Sequence, residues 1–245
     1  MKQVLITGSE GGIGIALVKA FTDAGYQVIG LDTAEQSKSS LQGYVQADLS
    51  RLAGDPGFRC AVCDKIRSAL REAPLAALVN NAATQILGKF ESLSDEDWQS
   101  TLNTNVLAPM FLIRELLAEL SESRGTVVNI ASVHATLTKP GFSAYATSKT
   151  ALLGLTRALA VEVGDRIQVT AICPAAIATP MLMAGFSGRG GDYKQLKEFH
   201  PCKDVGQPED VARLAVSMVE GATPFYNGMV INLDGGVGSR LHDPI

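Results

Sequence analysis

The strongest constraint on the fold is an alternation that runs the length of the chain. Seven short apolar runs punctuate it: KQVLI near the start, then Tyr26–Asp32, Gly43–Asp48, Ala76–Asn80, Thr126–Ala131, Ile167–Cys173 and Met229–Leu233. Between most of them, apolar residues recur at three- and four-residue spacing, which predicts helices near 11–24, 57–72, 94–121, 144–163 and 208–220. Strands that are apolar throughout must be covered on both faces, and helices between them supply the cover. The pattern predicts an α/β fold: one doubly wound parallel sheet of about seven strands, with helices on both faces. No repeat, linker or low-complexity tract divides the sequence, so residues 1–245 read as a single domain.

Two places break the rhythm. The segment 33–42 (TAEQSKSSLQ) is short and polar, with room for a turn of helix at most. The segment 175–207 is long and contains GFSGRGGDY. It follows the carboxyl end of a predicted strand, the edge where open α/β sheets bind ligands, and is expected to form a substrate lid. Met181, Leu182, Met183, Phe186 and Tyr193 would give that lid an apolar wall.

The charge balance narrows the partners. With 21 basic and 25 acidic residues, a net charge of −4 and no basic cluster, neither nucleic acid nor an anionic membrane surface is an expected partner. No apolar stretch approaches the roughly 18 residues of a membrane span. MKQVLITG enters a strand directly without the shape of a signal peptide, which predicts a cytoplasmic protein. Cys60 and Cys63 form a lone C-x-x-C within a predicted helix, without a second pair or nearby histidines. They read as reduced helix cysteines, and no metal site is expected.

The first strand runs into TGSEGGIG, with glycines at 8, 11, 12 and 14. Strand, glycine turn and helix together present free amides and a positive dipole end to a phosphate. The spacing is neither G-x-G-x-x-G nor a P-loop, and the turn alone is equally consistent with a tight connection that binds nothing. Asp32 lies 18 residues beyond Gly14 at the end of the second strand, placed to accept hydrogen bonds from an adenosine ribose. An acid there disfavours a 2′-phosphate, as does Glu10 in the turn with no Arg or Lys beside it; NAD is expected rather than NADP.

Further on, Tyr145 and Lys149 are four residues apart and share a helix face. An ammonium there favours the tyrosinate. Bringing a phenol from pKa about 10 to near 7 takes roughly 4 kcal/mol, within reach of a lysine and a nicotinamide cation in a partly dry site. Ser132 ends a strand at the carboxyl edge, where its hydroxyl can donate to a substrate oxygen. Asn105 precedes Pro109 by four residues in a predicted long helix, so its carbonyl loses its usual amide partner and a kink is expected.

TGSEGGIG, NNAA at 80–83, Asn105, Ser132 and Tyr145/Lys149, in this order, resemble the short-chain dehydrogenase/reductase family of about 250 residues, across essentially the whole chain. The resemblance implies a Rossmann-type, NAD-dependent oxidoreductase, a homo-oligomer (homotetramer or dimer). It implies that Gly8, Ser9, Gly12, Ile13 and Gly14 form the phosphate-binding turn, Gly14 letting the helix pack closely on the sheet. Asp48 and Leu49 would border the adenine, Asn81 the adenosine side, and Ile177 with Thr179 the carboxamide. Ser132 would orient the substrate, Tyr145 act as acid/base, Lys149 bind the nicotinamide ribose, and the Asn105 carbonyl hold a proton-relay water. Pro174-Ala175 replaces the family's usual Pro-Gly, and no arginine stands near 203–206.

Gln85 and His134 are expected to face the alcohol carbon, as in the 3-hydroxybutyrate branch of the family. That branch carries a lysine where this chain has Phe142, although Lys139 can substitute if its loop folds inward. A small polar secondary alcohol or its ketone is therefore expected, with a 3-hydroxy acid as the alternative. An epimerase or dehydratase and a non-catalytic NAD-binding regulator are the rivals from other classes. The intact Ser–Tyr–Lys set speaks against the regulator, and the short C-terminal region against the epimerase.

Overall fold

Residues alternate sides along a strand, and here both sides are buried. In β1 (Gln3–Thr7), Val4 and Ile6 join one apolar cluster and Leu5 the other, all three fully buried. The computed structural model describes residues 2–71, 73–186 and 193–241. Its other strands are β2 (Gln27–Asp32), β3 (Gly43–Gln46), β4 (Leu75–Asn80), β5 (Thr126–Ile130), β6 (Gln168–Pro174) and β7 (Val230–Leu233). All pair in parallel, in the order β3-β2-β1-β4-β5-β6-β7. This is the doubly wound sheet that the alternation predicts. No helix among the described residues is long and apolar enough to cross a membrane.

One face is covered by α1 (Gly12–Asp23), through Leu17 and Phe21, and by α9 (Pro208–Glu220), through Val211, Ala215 and Met218. The other carries α2 (Pro56–Leu70), α3 (Asp95–Leu102), α4 (Ala108–Glu115), α5 (Leu117–Glu122) and α6 (Ser143–Glu162). There, Ile66 of α2 and Leu112 of α4 pack with Leu5 and Leu78, while Leu152 and Leu153 of α6 pack on Ala171 and Cys173. The expected lid contains α7 (Pro180–Phe186) and α8 (Tyr193–Phe199); the side chain of Phe186 and residues 187–192 lie outside the described residues.

The predicted helix over 94–121 is three helices with a break. A capping box at Ser94 and Asp97 starts α3, as its sequence suggests, and a π-turn at Asn103–Leu107 then separates α3 from α4. The Ala108 amide reaches back five residues to the Asn103 carbonyl, and Pro109 has no amide to offer residue 105. The segment 33–42, with room for a turn of helix at most, contains no helical turn. Side chains fix its course, as when the Tyr44 hydroxyl donates to the Ala34 carbonyl at 2.7 Å.

The strand order reverses between β1 and β4, so the connections that leave their carboxyl ends part to opposite faces of the sheet. Side chains stitch that gap. Thr7 Oγ1 accepts from the Asn81 and Ala82 amides, both at 3.0 Å, and Asn81 Nδ2 donates to the Thr7 and Gly8 carbonyls, again at 3.0 Å. Gly8 sits at φ +66, a left-handed conformation suited to glycine.

The role expected for Gly14, close packing of helix on sheet, is corrected. A Cβ there would overlap the Gly8 carbonyl and lie 2.8 Å from the Gly8 carbonyl carbon, so the turn itself requires this glycine. A Cβ on Gly11 would meet only the Gly8 carbonyl oxygen, at 3.4 Å, an ordinary contact. Gly14→Ala should therefore cost more than about 2 kcal/mol and lower Tm by roughly 4–8 °C, while Gly11→Ala changes stability by less than about 0.5 kcal/mol. Thermal denaturation of the two variants side by side tests this; equal effects would refute the steric account.

Candidate active site

A single cleft of about 1240 Å³ runs along the carboxyl edge of the sheet, from Asp32 and Asp48 at one end to Ser132, His134 and Tyr145 at the other. Gly8, Gly12 and Ile13 of the glycine turn line its middle, opposite Ile177 and Thr179. At the start of α1, Gly11 provides no side chain to cap the helix and the first turn holds no acid, so the leading amides keep their positive end. A Cβ on Gly12 would come within 2.9 Å of Thr179 Cγ2 and 3.1 Å of Pro180 Cδ, so glycine lets the turn approach the start of α7.

At the first end, Asp32 receives backbone amides on both oxygens: Glu10 on Oδ2 at 2.9 Å, and Thr33 and Ala34 on Oδ1 at 2.7 and 3.3 Å. Asp48 caps the short 3-10 turn Leu49–Leu52, accepting from the Ser50 amide at 2.9 Å and hydroxyl at 2.7 Å, and Leu49 lines the cleft beside it. Asn81 borders the cleft too, with its amide nitrogen committed to the Thr7–Gly8 backbone. Ile177 bridges to Gly206, and Thr179 Oγ1 accepts from the Leu182 amide at the start of α7.

At the second end, α6 presents Tyr145 and Lys149 on its buried face, 7% and 2% exposed. Lys149 Nζ donates to the Ile130 carbonyl at 2.8 Å and lies 5.6 Å from the Tyr145 ring centroid. An ammonium has three donors, so others remain for a ligand. Ser132 lines the same end of the cleft as Tyr145, and its Oγ accepts from the His134 amide at 3.2 Å. Burial dominates the electrostatics. It pushes the phenol up to about 12, against the opposing pull of the Ser132 hydroxyl, and pushes Lys149 down to about 8. The lysine by itself does not bring the phenol toward 7.

Three residues that the sequence places in the site stand behind the wall. Ser9 is fully buried, and its Oγ lies 2.7 Å from where a Cβ on Gly30 would sit; Gly14 faces the Gly8 backbone. Neither lines the cleft, because the turn folds them inward against β2 and itself. Asn105 is 1% exposed, and Thr104 takes its place on the wall. The Asn105 amide side chain instead joins three elements. Its Oδ1 accepts from the Thr84 amide at 2.8 Å, and its Nδ2 donates to the Thr84 carbonyl and to Ser148 Oγ, both at 2.9 Å. Ser148 in turn donates to the Tyr145 carbonyl at 2.7 Å, so Asn105 sets the height of α6. Ser148 does not stand out in the sequence, because a serine inside Y-x-x-S-K shows no sign of a partner 43 residues away.

Gln85 and His134 both line the substrate end. The His134 ring lies flat on Phe142, centroids 4.3 Å apart and planes 3° from parallel, and meets Tyr145 edge-on at 5.8 Å. Lys139 covers the other end of this stack, its Nζ 4.9 Å from the Phe142 centroid. Lys139 and its loop, residues 136–140, remain exposed at the rim of the cleft. Burial, and secondarily the Lys139 charge, push His134 down to about 4, so its imidazole is neutral near pH 7. Met181 and Leu182 line the cleft as expected of the lid, whereas Met183 and Tyr193 do not. Phe199 and the buried His200 do line it, although the sequence singled out neither.

Comparison with known proteins fits this geometry. A family model described as Enoyl-(Acyl carrier protein) reductase matches residues 8–238. D-threitol dehydrogenase of Mycolicibacterium smegmatis is 31% identical over 96% of this chain and 92% of that protein. The ligand-free structure of Thermoplasma acidophilum aldohexose dehydrogenase superimposes with a TM-score of 0.89 at 29% identity, covering 100% of this chain and 96% of the other. A 4-hydroxyisoleucine dehydrogenase complexed with NADH superimposes with a TM-score of 0.87 at 28% identity, covering 98% and 100%. With the glycine turn, Ser132, Tyr145 and Lys149 arranged along one cleft, the chain belongs to the short-chain dehydrogenase/reductase family of oxidoreductases.

Proposed function

We propose that the protein uses NAD(H) to interconvert a small polar secondary alcohol and its ketone. The observation that carries this is the continuous cleft joining Asp32, the uncapped start of α1 and the Ser132–Tyr145–Lys149 group. Its residues fit a dinucleotide: a carboxylate for the ribose, a glycine cradle and helix amides for the pyrophosphate, and Ile177 and Thr179 for the carboxamide. The NADH complex of the 4-hydroxyisoleucine dehydrogenase supports the same cofactor. When bound, the nicotinamide supplies the hydride acceptor or donor and, oxidised, a positive charge.

The chain's own residues handle the proton and the positioning. Ser132 Oγ hydrogen-bonds to the substrate oxygen and fixes it beside the Tyr145 hydroxyl. Tyr145 Oη gives its proton to a ketone oxygen during reduction and takes one from the alcohol during oxidation. Lys149, anchored on the Ile130 carbonyl, holds the nicotinamide ribose and favours the phenolate. Neutral His134 and Gln85 offer hydrogen bonds without formal charge, which suits hydroxyl-bearing substrates, and the relatives named as threitol and aldohexose dehydrogenases point the same way. A 3-hydroxy acid is the second reading, supported by Lys139 folded over Phe142 at the mouth of the cleft.

Tyr145→Phe should abolish turnover yet bind NADH with unchanged affinity, since only the ionisable hydroxyl is lost. Retention of more than about a tenth of the rate would remove Tyr145 from the acid/base role. The pH dependence has a definite sign. Burial holds the phenol protonated, so reduction is served at neutral pH while oxidation waits for the phenolate. Oxidation should therefore accelerate between about pH 6 and pH 10; a flat profile would assign the proton elsewhere. His134→Ala should raise substrate KM about fivefold or more, or roughly 1 kcal/mol, with NADH affinity unchanged. A steroid or long-chain acyl substrate, with His134→Ala silent, would overturn the pocket reading.

A further inference from the structure

The 33–42 connection stays in place without backbone regularity, and the reason lies in the glycine turn. Glu10 reaches across to it: Ser37 Oγ donates to Glu10 Oε1 at 2.7 Å and the Lys38 amide donates to Oε2 at 2.8 Å. From the other side, the Glu10 amide donates to Asp32 Oδ2 at 2.9 Å. Two carboxylates, one from the turn and one from the end of β2, are thus linked in series, and both line the cleft. Among the described residues, neither forms an ion pair with a lysine or arginine. Their charge is met only by amide and hydroxyl dipoles, so it stays available to act on a ligand. It is already felt by Tyr44, whose phenol burial, Asp32 and Glu10 together push up to about 12.

We propose that Glu10 is a specificity-determining residue for the adenosine end of the cofactor. It clasps Ser37 and Lys38 against the glycine turn, holding the 33–42 connection beside the Asp32 end of the cleft. It also places a second negative charge beside Asp32, where a 2′-phosphate would have to sit. This rests on the NAD reading above and adds to it: Asp32 meets the ribose hydroxyls, whereas Glu10 holds the connection and repels phosphate. The two effects of Glu10 are separable, because a glutamine keeps the size and part of the hydrogen bonding while losing the charge.

Fluorescence titration with NADH and with NADPH, on wild type, Glu10→Gln, Glu10→Ala and Ser37→Ala, tests both effects, with hydrogen exchange of the 33–42 amides as a second readout. Glu10→Gln should tighten NADPH binding at least fivefold while NADH stays within about threefold of wild type. Glu10→Ala should also weaken NADH and speed exchange across 33–42, and Ser37→Ala should speed exchange without tightening NADPH. Wild type preferring NADH, with the NADPH-to-NADH ratio unmoved in Glu10→Gln, would overturn the charge role of Glu10 and leave the NAD reading intact. Unchanged exchange in Glu10→Ala would overturn the clasp. Equal wild-type affinity for the two dinucleotides would overturn the NAD reading and this inference with it.

Discussion

The site depends on how the connections leaving the carboxyl ends of β1 and β4 part. A parallel sheet whose crossovers run to opposite sides must open a crevice where they diverge, and an open crevice exposes strand ends that would fray. Here Thr7 and Asn81 tie the two ends together with four hydrogen bonds, all at 3.0 Å, and these same bonds hold the Gly8 carbonyl. The glycine turn is therefore mounted on the sheet. Its tightness follows: Gly14 packs against the Gly8 carbonyl because the turn has no freedom to relax outward. Each buried amide or carbonyl left unpaired here would cost about 1–3 kcal/mol, which makes the mounting stiff.

The catalytic end is built on the opposite logic, with charge placed where the protein solvates it poorly. Lys149 is nearly sealed from water and has a single carbonyl partner from β5. Such a lysine destabilises the folded chain unless a ligand answers it, which is a common cost of reactive sites. Positional accuracy comes from neutral groups nearby. The chain of bonds from Thr84 through Asn105 and Ser148 to the Tyr145 carbonyl fixes the first turns of α6 relative to the loop after β4. A second tie, Asn129 Nδ2 to Thr156 Oγ1 at 2.9 Å, fixes the same helix two turns further on.

The strands and helices were legible because burial on both faces leaves little choice of residue: Val4, Leu5 and Ile6 can form nothing but a central strand in this setting. Tyr145 with Lys149 was legible because helical geometry converts a spacing of four into a shared face. What the sequence concealed depends on partners distant in the chain. The short, polar 33–42 segment gives no sign that Glu10, 27 residues before Ser37, holds its course. Ser9 and Asn105 stand in motif positions, but the inward fold of the turn and the π-turn carry both behind the wall. The stack of Lys139, Phe142 and His134 depends on the course of a loop, which neither residue type nor period encodes.

The π-turn at Asn103–Leu107 also bears on how this stretch can change over generations. A π-turn is a helix holding one residue more than its hydrogen-bond ladder needs, pinned in place at both ends. Here the upstream pin is the capped start of α3 and the downstream pin is Leu112 in the apolar layer. Substitutions at outward positions leave that surplus untouched. Losing a single codon from α3 or α4 would instead rotate one flank against the other by about 100°, swinging either Asn105 or the α4 contacts away. This part of the chain is thus far freer in composition than in length.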